Sequence, residues 1–212
     1  MELIYLIPFC IAFYFFGNIN LSVVVSKFRK RDIRKVGSGN AGATNMLRAF
    51  GPKVAVPILL LDIAKGVIPA LVGLFVFADY YVAMLALGLA TVIGHCFPVF
   101  FKFKGGKGAA TIVGVFLVVN PVLTAAVFGI CLVIYLIVEF ASISSIVLIS
   151  VVAVYELVYT TSIAASCILV AFYALVIFNH RSNVISLLSG REKKASLLGR
   201  LIRKVRKKTP AS

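Results

Sequence analysis

Long apolar runs broken by short polar ones dominate the chain, and their lengths predict membrane-crossing helices. Seven segments are apolar enough to cross, at about 3–25, 54–77, 80–98, 109–119, 122–138, 143–159 and 162–178. The fourth ends early, at Asn120-Pro121, well short of the roughly 20 residues needed to span the hydrocarbon core. It must therefore extend back into the Gly-Lys stretch before it or be a broken helix, and either way polar backbone lies at membrane depth near Lys107. The first run, from about Leu3, has no basic region before it and no small-residue cleavage site after it. It reads as a retained helix, not a signal peptide.

Composition agrees: of 212 residues, 61% are hydrophobic and 14% charged, far from the balance of a soluble domain. A net charge of +15 would suggest nucleic acid in a soluble protein; here the position of the charge decides its meaning, and no nucleic-acid partner is expected. Lys27, Arg29, Lys30, Arg31, Arg34, Lys35, Arg48 and Lys53 lie between the first two segments, and Lys102, Lys104 and Lys107 between the third and fourth. The tail from Arg181 carries every other basic residue except Lys65, which lies inside the second segment. By the positive-inside rule the N-terminus is outside and the C-terminus cytoplasmic, which requires an odd number of spans. Glu2, Asp79 and Glu156 then fall toward the outer face. The predicted fold is an all-α, seven-helix polytopic membrane protein with short glycine-rich cytoplasmic loops. It forms a single membrane domain over 1–212 with a basic tail at about 191–212, suited to anionic lipid at the cytoplasmic leaflet.

Three polar motifs carry the candidate chemistry. The first is Gly37-Ser38-Gly39-Asn40-Ala41-Gly42-Ala43-Thr44-Asn45, closed by Arg48. Its glycines let backbone N–H groups approach a ligand, its side chains can hydrogen-bond oxygens, and a helix starting near Ala43 would favour an anion. Arg48 could add a two-point clamp on phosphate. The Gly37-x-Gly39-x-x-Gly42 spacing matches a dinucleotide fingerprint, but it follows a charged stretch and sits in no βαβ unit, so a nicotinamide or flavin site is rejected. The second motif, Gly94-His95-Cys96-Phe97-Pro98 followed by Gly105-Gly106-Lys107-Gly108, is not a Walker A loop, yet it offers a backbone cradle around a cation. His95 reads as a hydrogen-bonded structural residue. The third is Asn179-His180-Arg181-Ser182-Asn183, in which His180 and Asn183 share a face if the last helix continues. A weaker group, Ser142, Ser144 and Ser145, lies between the fifth and sixth segments. In the seven-span topology all four clusters reach the cytoplasmic side. Asp62 and Lys65, three apart in the second segment, are expected to form an intramembrane ion pair. Two histidines and four scattered cysteines offer no metal-type spacing, so no metal, disulfide or cofactor is expected.

These residues resemble the bacterial acyl-phosphate:glycerol-3-phosphate acyltransferases over nearly the whole chain: Asp32-Ile33-Arg34 through Gly51, Asp62-x-x-Lys65-Gly66-x-x-Pro69, Gly94-His95 through Gly108, and His180 to Gly190. The resemblance implies an inner-membrane enzyme that moves a fatty acyl group from acyl phosphate to the 1-hydroxyl of glycerol 3-phosphate, giving lysophosphatidic acid and phosphate. It implies catalytic roles for His180, Asn183, Ser38 and Lys107. Phosphate binding falls to Ser38, Gly39, Asn40, Arg48, Gly105, Gly106, Lys107 and Ser145. Two positions depart from the family: Gly17-Asn18-Ile19-Asn20 stands where it usually has Gly-Ser-Ile-Pro, and Glu139 where a basic residue is common. The rival class is a transporter for phosphorylated metabolites, since broken helices and buried cations also build anion-transport sites.

Overall fold

A computed structural model describes residues 3–192 and Lys194. Most of the basic tail therefore lies outside the described residues. Among those described, all regular structure is helical: α1 (Leu6–Gly17), α2 (Leu21–Phe28), α3 (Ala43–Phe50), α4 (Pro52–Val76), α5 (Tyr80–Cys96), α6 (Ala109–Val119), α7 (Pro121–Val138), α8 (Ala141–Tyr159) and α9 (Ile163–Leu188), with short 3-10 turns at Leu3–Tyr5, Ile33–Lys35 and Val99–Phe101. Six stretches are long and apolar enough to cross a membrane, and α6 is a shorter apolar helix of 11 residues. This is a multi-pass membrane protein. α6 does not extend back into the Gly-Lys stretch; residues 104–108 stay non-helical.

The first predicted segment is not one continuous helix. α1 ends at Gly17, and Asn20 adopts an extended conformation (φ −93°, ψ 97°) that restarts the chain as α2. The Asn20 side chain accepts a hydrogen bond from Val23 N–H at 3.1 Å, an N-cap that a continuous apolar helix would not need. At the other end of the chain, α9 runs unbroken for 26 residues, about 39 Å at 1.5 Å per residue. That exceeds the ~30 Å hydrocarbon core, so the helix carries His180 and Asn183 beyond the apolar run on one face, as the spacing predicts.

In lipid, helices associate through close packing and internal polar contacts, since the solvent is as apolar as the side chains. α4 packs most extensively on α6 and α5, and α1 on α5. The α4–α6 crossing is made by Gly66 and Gly114: a Cβ on Gly66 would overlap the Thr111 carbonyl, and one on Gly114 the Ile63 carbonyl. α5, α6, α8 and α9 enclose the main core around Leu85, Ile112, Phe116, Leu169 and Phe172. A buried polar cluster fastens one end of this bundle, where Glu156 accepts hydrogen bonds from Tyr81 Oη at 2.7 Å and Asn120 Nδ2 at 2.8 Å. The Asn120 Oδ1 caps α7 through Leu123 N–H.

Candidate active site

The loop before α3 is shaped by one side chain. Asn45, only 1% exposed, donates through Nδ2 to the carbonyls of Val36 (2.8 Å), Asn40 (3.0 Å) and Ile33 (3.2 Å), while its Oδ1 accepts from Ser38 N–H at 3.1 Å. The amide expected among the ligand-binding groups is thus fully committed to holding the loop. Gly37 and Gly39 turn it with φ of 63° and 73°, conformations disfavoured for other residues. Helix α3 starts at Ala43 as expected, and Arg48 projects from its last turn.

The second loop folds back onto the end of α5. Gly105 N–H donates to Cys96 O at 3.2 Å and Gly106 N–H to His95 O at 3.1 Å. Gly106 packs against the His95 ring edge so closely that a Cβ there would overlap Nε2. Its N–H is committed to His95 O and the residue packs on the His95 ring, and Gly106 lines neither cavity described below. Lys107 follows, half-buried, with its pKa pushed down to about 8. Burial is the main cause; the Glu192 carboxylate opposes it, and the Arg48 and Arg181 charges add to the depression.

α9 supplies the third group. His180 is 3% exposed, with Nδ1 3.0 Å from Val176 O. A carbonyl only accepts, so Nδ1 carries the proton and the neutral ring keeps its lone pair on Nε2. After Leu188 the chain hooks back: Gly190 takes φ 67°, and the N–H groups of Arg191 and Glu192 both donate to Ser186 O. The hook brings Glu192 Oε1 to 2.7 Å from Asn183 Nδ2 and 2.6 Å from Ser142 Oγ. The sequence reading gave no site role to Glu192, Ser186 or Arg191, which line the polar cavity described below together with Ser182 of the third motif. The available signal was Gly190 just past the helix end, the usual mark of a turn that reverses the chain there.

Two cavities meet on these groups. One, of about 300 Å³, is mainly apolar, running between α4, α6, α7 and α8 past Leu59, Val113, Phe128, Leu132 and Ile149. The other, of about 460 Å³, is polar and lined by the two glycine loops and the α9 hook. Ser38, Asn40, Arg48, Lys107, Asn183 and Glu192 line both. Of the remaining expected residues, His180 and Ser145 line the apolar cavity and Gly39 and Gly105 the polar one. An arrangement of this kind can hold a tailed anion and a soluble anion side by side, with cations at the junction to neutralise both.

Comparison with known proteins shows the family of the chain. A family model described as glycerol-3-phosphate acyltransferase matches residues 7–190. The glycerol-3-phosphate acyltransferase of Mycoplasmopsis pulmonis is 37% identical over 207 residues, covering 88% of this chain and 92% of that protein. That of Aquifex aeolicus is 38% identical over 194 residues, covering 91% and 98%. Among solved structures, the glycerol 3-phosphate form of PlsY, an integral membrane glycerol 3-phosphate acyltransferase, superposes with a TM-score of 0.85 at 37% identity, covering 92% of this chain and 98% of that one. Its lysophosphatidic acid form gives 0.80 at 37% identity, covering 89% and 94%.

Proposed function

Because the chain belongs to the glycerol-3-phosphate acyltransferase family, we propose that it transfers a fatty acyl group from acyl phosphate to the 1-hydroxyl of glycerol 3-phosphate, releasing lysophosphatidic acid and phosphate. The observation that carries this reading is the shared wall between an apolar and a polar cavity. The acyl tail enters the first from the bilayer, glycerol 3-phosphate enters the second from water, and both phosphates face Arg48 and Lys107.

The donor is an activated mixed anhydride, so positioning and charge neutralisation supply most of the acceleration. Arg48 provides a planar fork and Lys107 a point charge, while Ser38, Asn40, Gly39, Gly105 and Ser145 complete the oxygen contacts. Ser38 acts as a ligand for phosphate or oxyanion, and no acyl-serine forms. The glycerol hydroxyl oxygen attacks the acyl carbon and the bond from that carbon to the phosphate oxygen breaks. His180 Nε2 accepts the hydroxyl proton and returns it to the leaving phosphate. Asn183, fixed by Glu192, orients the substrates at the junction.

In this reading α6 is the seventh crossing element, so the termini lie on opposite sides, and the positive-inside rule supports an outer N-terminus and a cytoplasmic C-terminus. The glycine loops and the α9 hook then face the cytoplasm of a bacterial inner membrane, with the tail against anionic lipid. Purified protein supplied with acyl phosphate and glycerol 3-phosphate, in EDTA, should form lysophosphatidic acid and release phosphate in equal amounts. Efficient turnover with acyl-CoA alone, or a need for added metal, would refute the donor assignment. Uptake of glycerol 3-phosphate into proteoliposomes without an acyl donor would instead favour a transporter.

A further inference from the structure

A ring of buried polar contacts links the two anion loops, and its Asp62 and His95 also line the apolar cavity. Asp62 and Lys65 on α4 and His95 on α5 are 3%, 4% and 3% exposed. Asp62 Oδ1 lies 3.7 Å from Lys65 Nζ and 3.8 Å from His95 Nδ1. Lys65 donates to the carbonyl of Ile19, in the break between α1 and α2. The next residue, Asn20, 1% exposed, donates through Nδ2 to Ala41 O at 3.3 Å, inside the first loop. Ala41 O is also one of the atoms a Cβ on Gly106 would crowd, at 2.9 Å, and Gly106 N–H donates to His95 O. The contacts thus close on themselves, from the first loop through Asn20, Lys65, Asp62 and His95 to the second loop and back.

Buried ion pairs add little net stability compared with apolar packing of the same volume. Holding helices together does not by itself account for three ionisable groups here, and the ring runs through backbone atoms of both loops that carry phosphate ligands. We propose that Asn20, Asp62, Lys65 and His95 are positioning residues: they set the separation between the Ser38–Asn40 loop and Lys107, and through it the affinity for glycerol 3-phosphate. The α1–α2 break, where the chain departs from a continuous helix, is the part of the ring that reaches the first loop. This inference rests on the acyltransfer reading.

The test measures KM and kcat for glycerol 3-phosphate in monodisperse, detergent-purified protein. Asn20→Ser keeps an N-cap oxygen for α2 but is too short to reach Ala41. Asp62→Asn/Lys65→Met removes both charges together, avoiding an unpaired buried ion. Displacing phosphate ligands by a fraction of an ångström should raise KM about tenfold in each, and kcat should fall as well, because the same ligands position the donor for attack. Glu156→Gln, in the buried cluster far from the loops, is the control: it should lower the melting temperature and leave KM unchanged. KM within about twofold of wild type in Asn20→Ser, even if the double variant fails to fold, would overturn the proposal. So would an equal rise in KM in Glu156→Gln, since the effect would then be general loosening. A wild-type protein without acyltransfer would refute the underlying reading and the ring's role with it.

Discussion

Lys107 offers the most quantitative prediction. Burial depresses its pKa from 10.5 to about 8, so its charge is lost over a pH range where an ordinary lysine stays cationic. With a pKa of about 8 the protonated fraction is about nine-tenths at pH 7, about half at pH 8 and about one-tenth at pH 9. If the cation binds substrate phosphate, kcat/KM for glycerol 3-phosphate should fall about fivefold between pH 8 and pH 9 and then about tenfold per pH unit. The sign follows from a lowered lysine pKa: the active form is the protonated one, present at low pH and lost as pH rises. Substrate phosphate, with a second pKa near 6, carries both charges throughout this range. The assay is the initial rate of lysophosphatidic acid formation at fixed ionic strength, corrected for spontaneous donor hydrolysis. Lys107→Arg, which stays charged to much higher pH, should flatten the alkaline limb even if its maximum is lower. A limb that persists unchanged in Lys107→Arg would refute the assignment to this side chain.

Other outcomes follow from the same geometry. Asn45→Ala removes the partner of four backbone groups; at about 1 kcal/mol per lost hydrogen bond and 2–4 °C per kcal/mol, the melting temperature should fall by roughly 8–16 °C, and no change would show that the loop is held otherwise. His180→Gln should lower kcat at least about tenfold with little change in KM, as expected for a group acting on the transferred proton; a pure KM effect would make it a binding residue. A cysteine added after Ser212 should be shielded from an impermeant reagent in intact cells, and labelling there would place both loops on the wrong side.

Six of the seven expected crossing segments were legible because lipid demands long apolar helices, and the start of α3 and the Asp62–Lys65 pair followed from spacing alone. What escaped the sequence depends on where the chain reverses. Asn45 looks like one more ligand-binding amide until the loop closes around it. The packing of Gly106 on His95 is likewise invisible until the second loop folds back onto α5. Glu192 lies nine residues beyond Asn183, and only the turn at Gly190 makes them neighbours. The α1–α2 break was hidden because Asn18 and Asn20 interrupt an apolar run too briefly to shift its average. Asn18 donates back to Tyr14 O and Asn20 caps α2, but the contact of Asn20 with Ala41 in the first loop joins positions 21 residues apart and shows only in the fold.

The central claim is that Arg48 and Lys107 neutralise substrate phosphate at the junction of the two cavities, and kcat/KM of two variants in monodisperse protein tests it most directly. Arg48→Lys keeps the charge and loses the planar fork. A charged hydrogen bond contributes about 1.5–3 kcal/mol, or about ten- to hundredfold in rate when expressed in the transition state. Both Arg48→Lys and Lys107→Ala should lose that much while remaining folded, and Lys204→Ala, in the tail outside the described residues, should change turnover little. Near wild-type kcat/KM in both Arg48→Lys and Lys107→Ala would contradict the account and reduce the glycine loops to linkers.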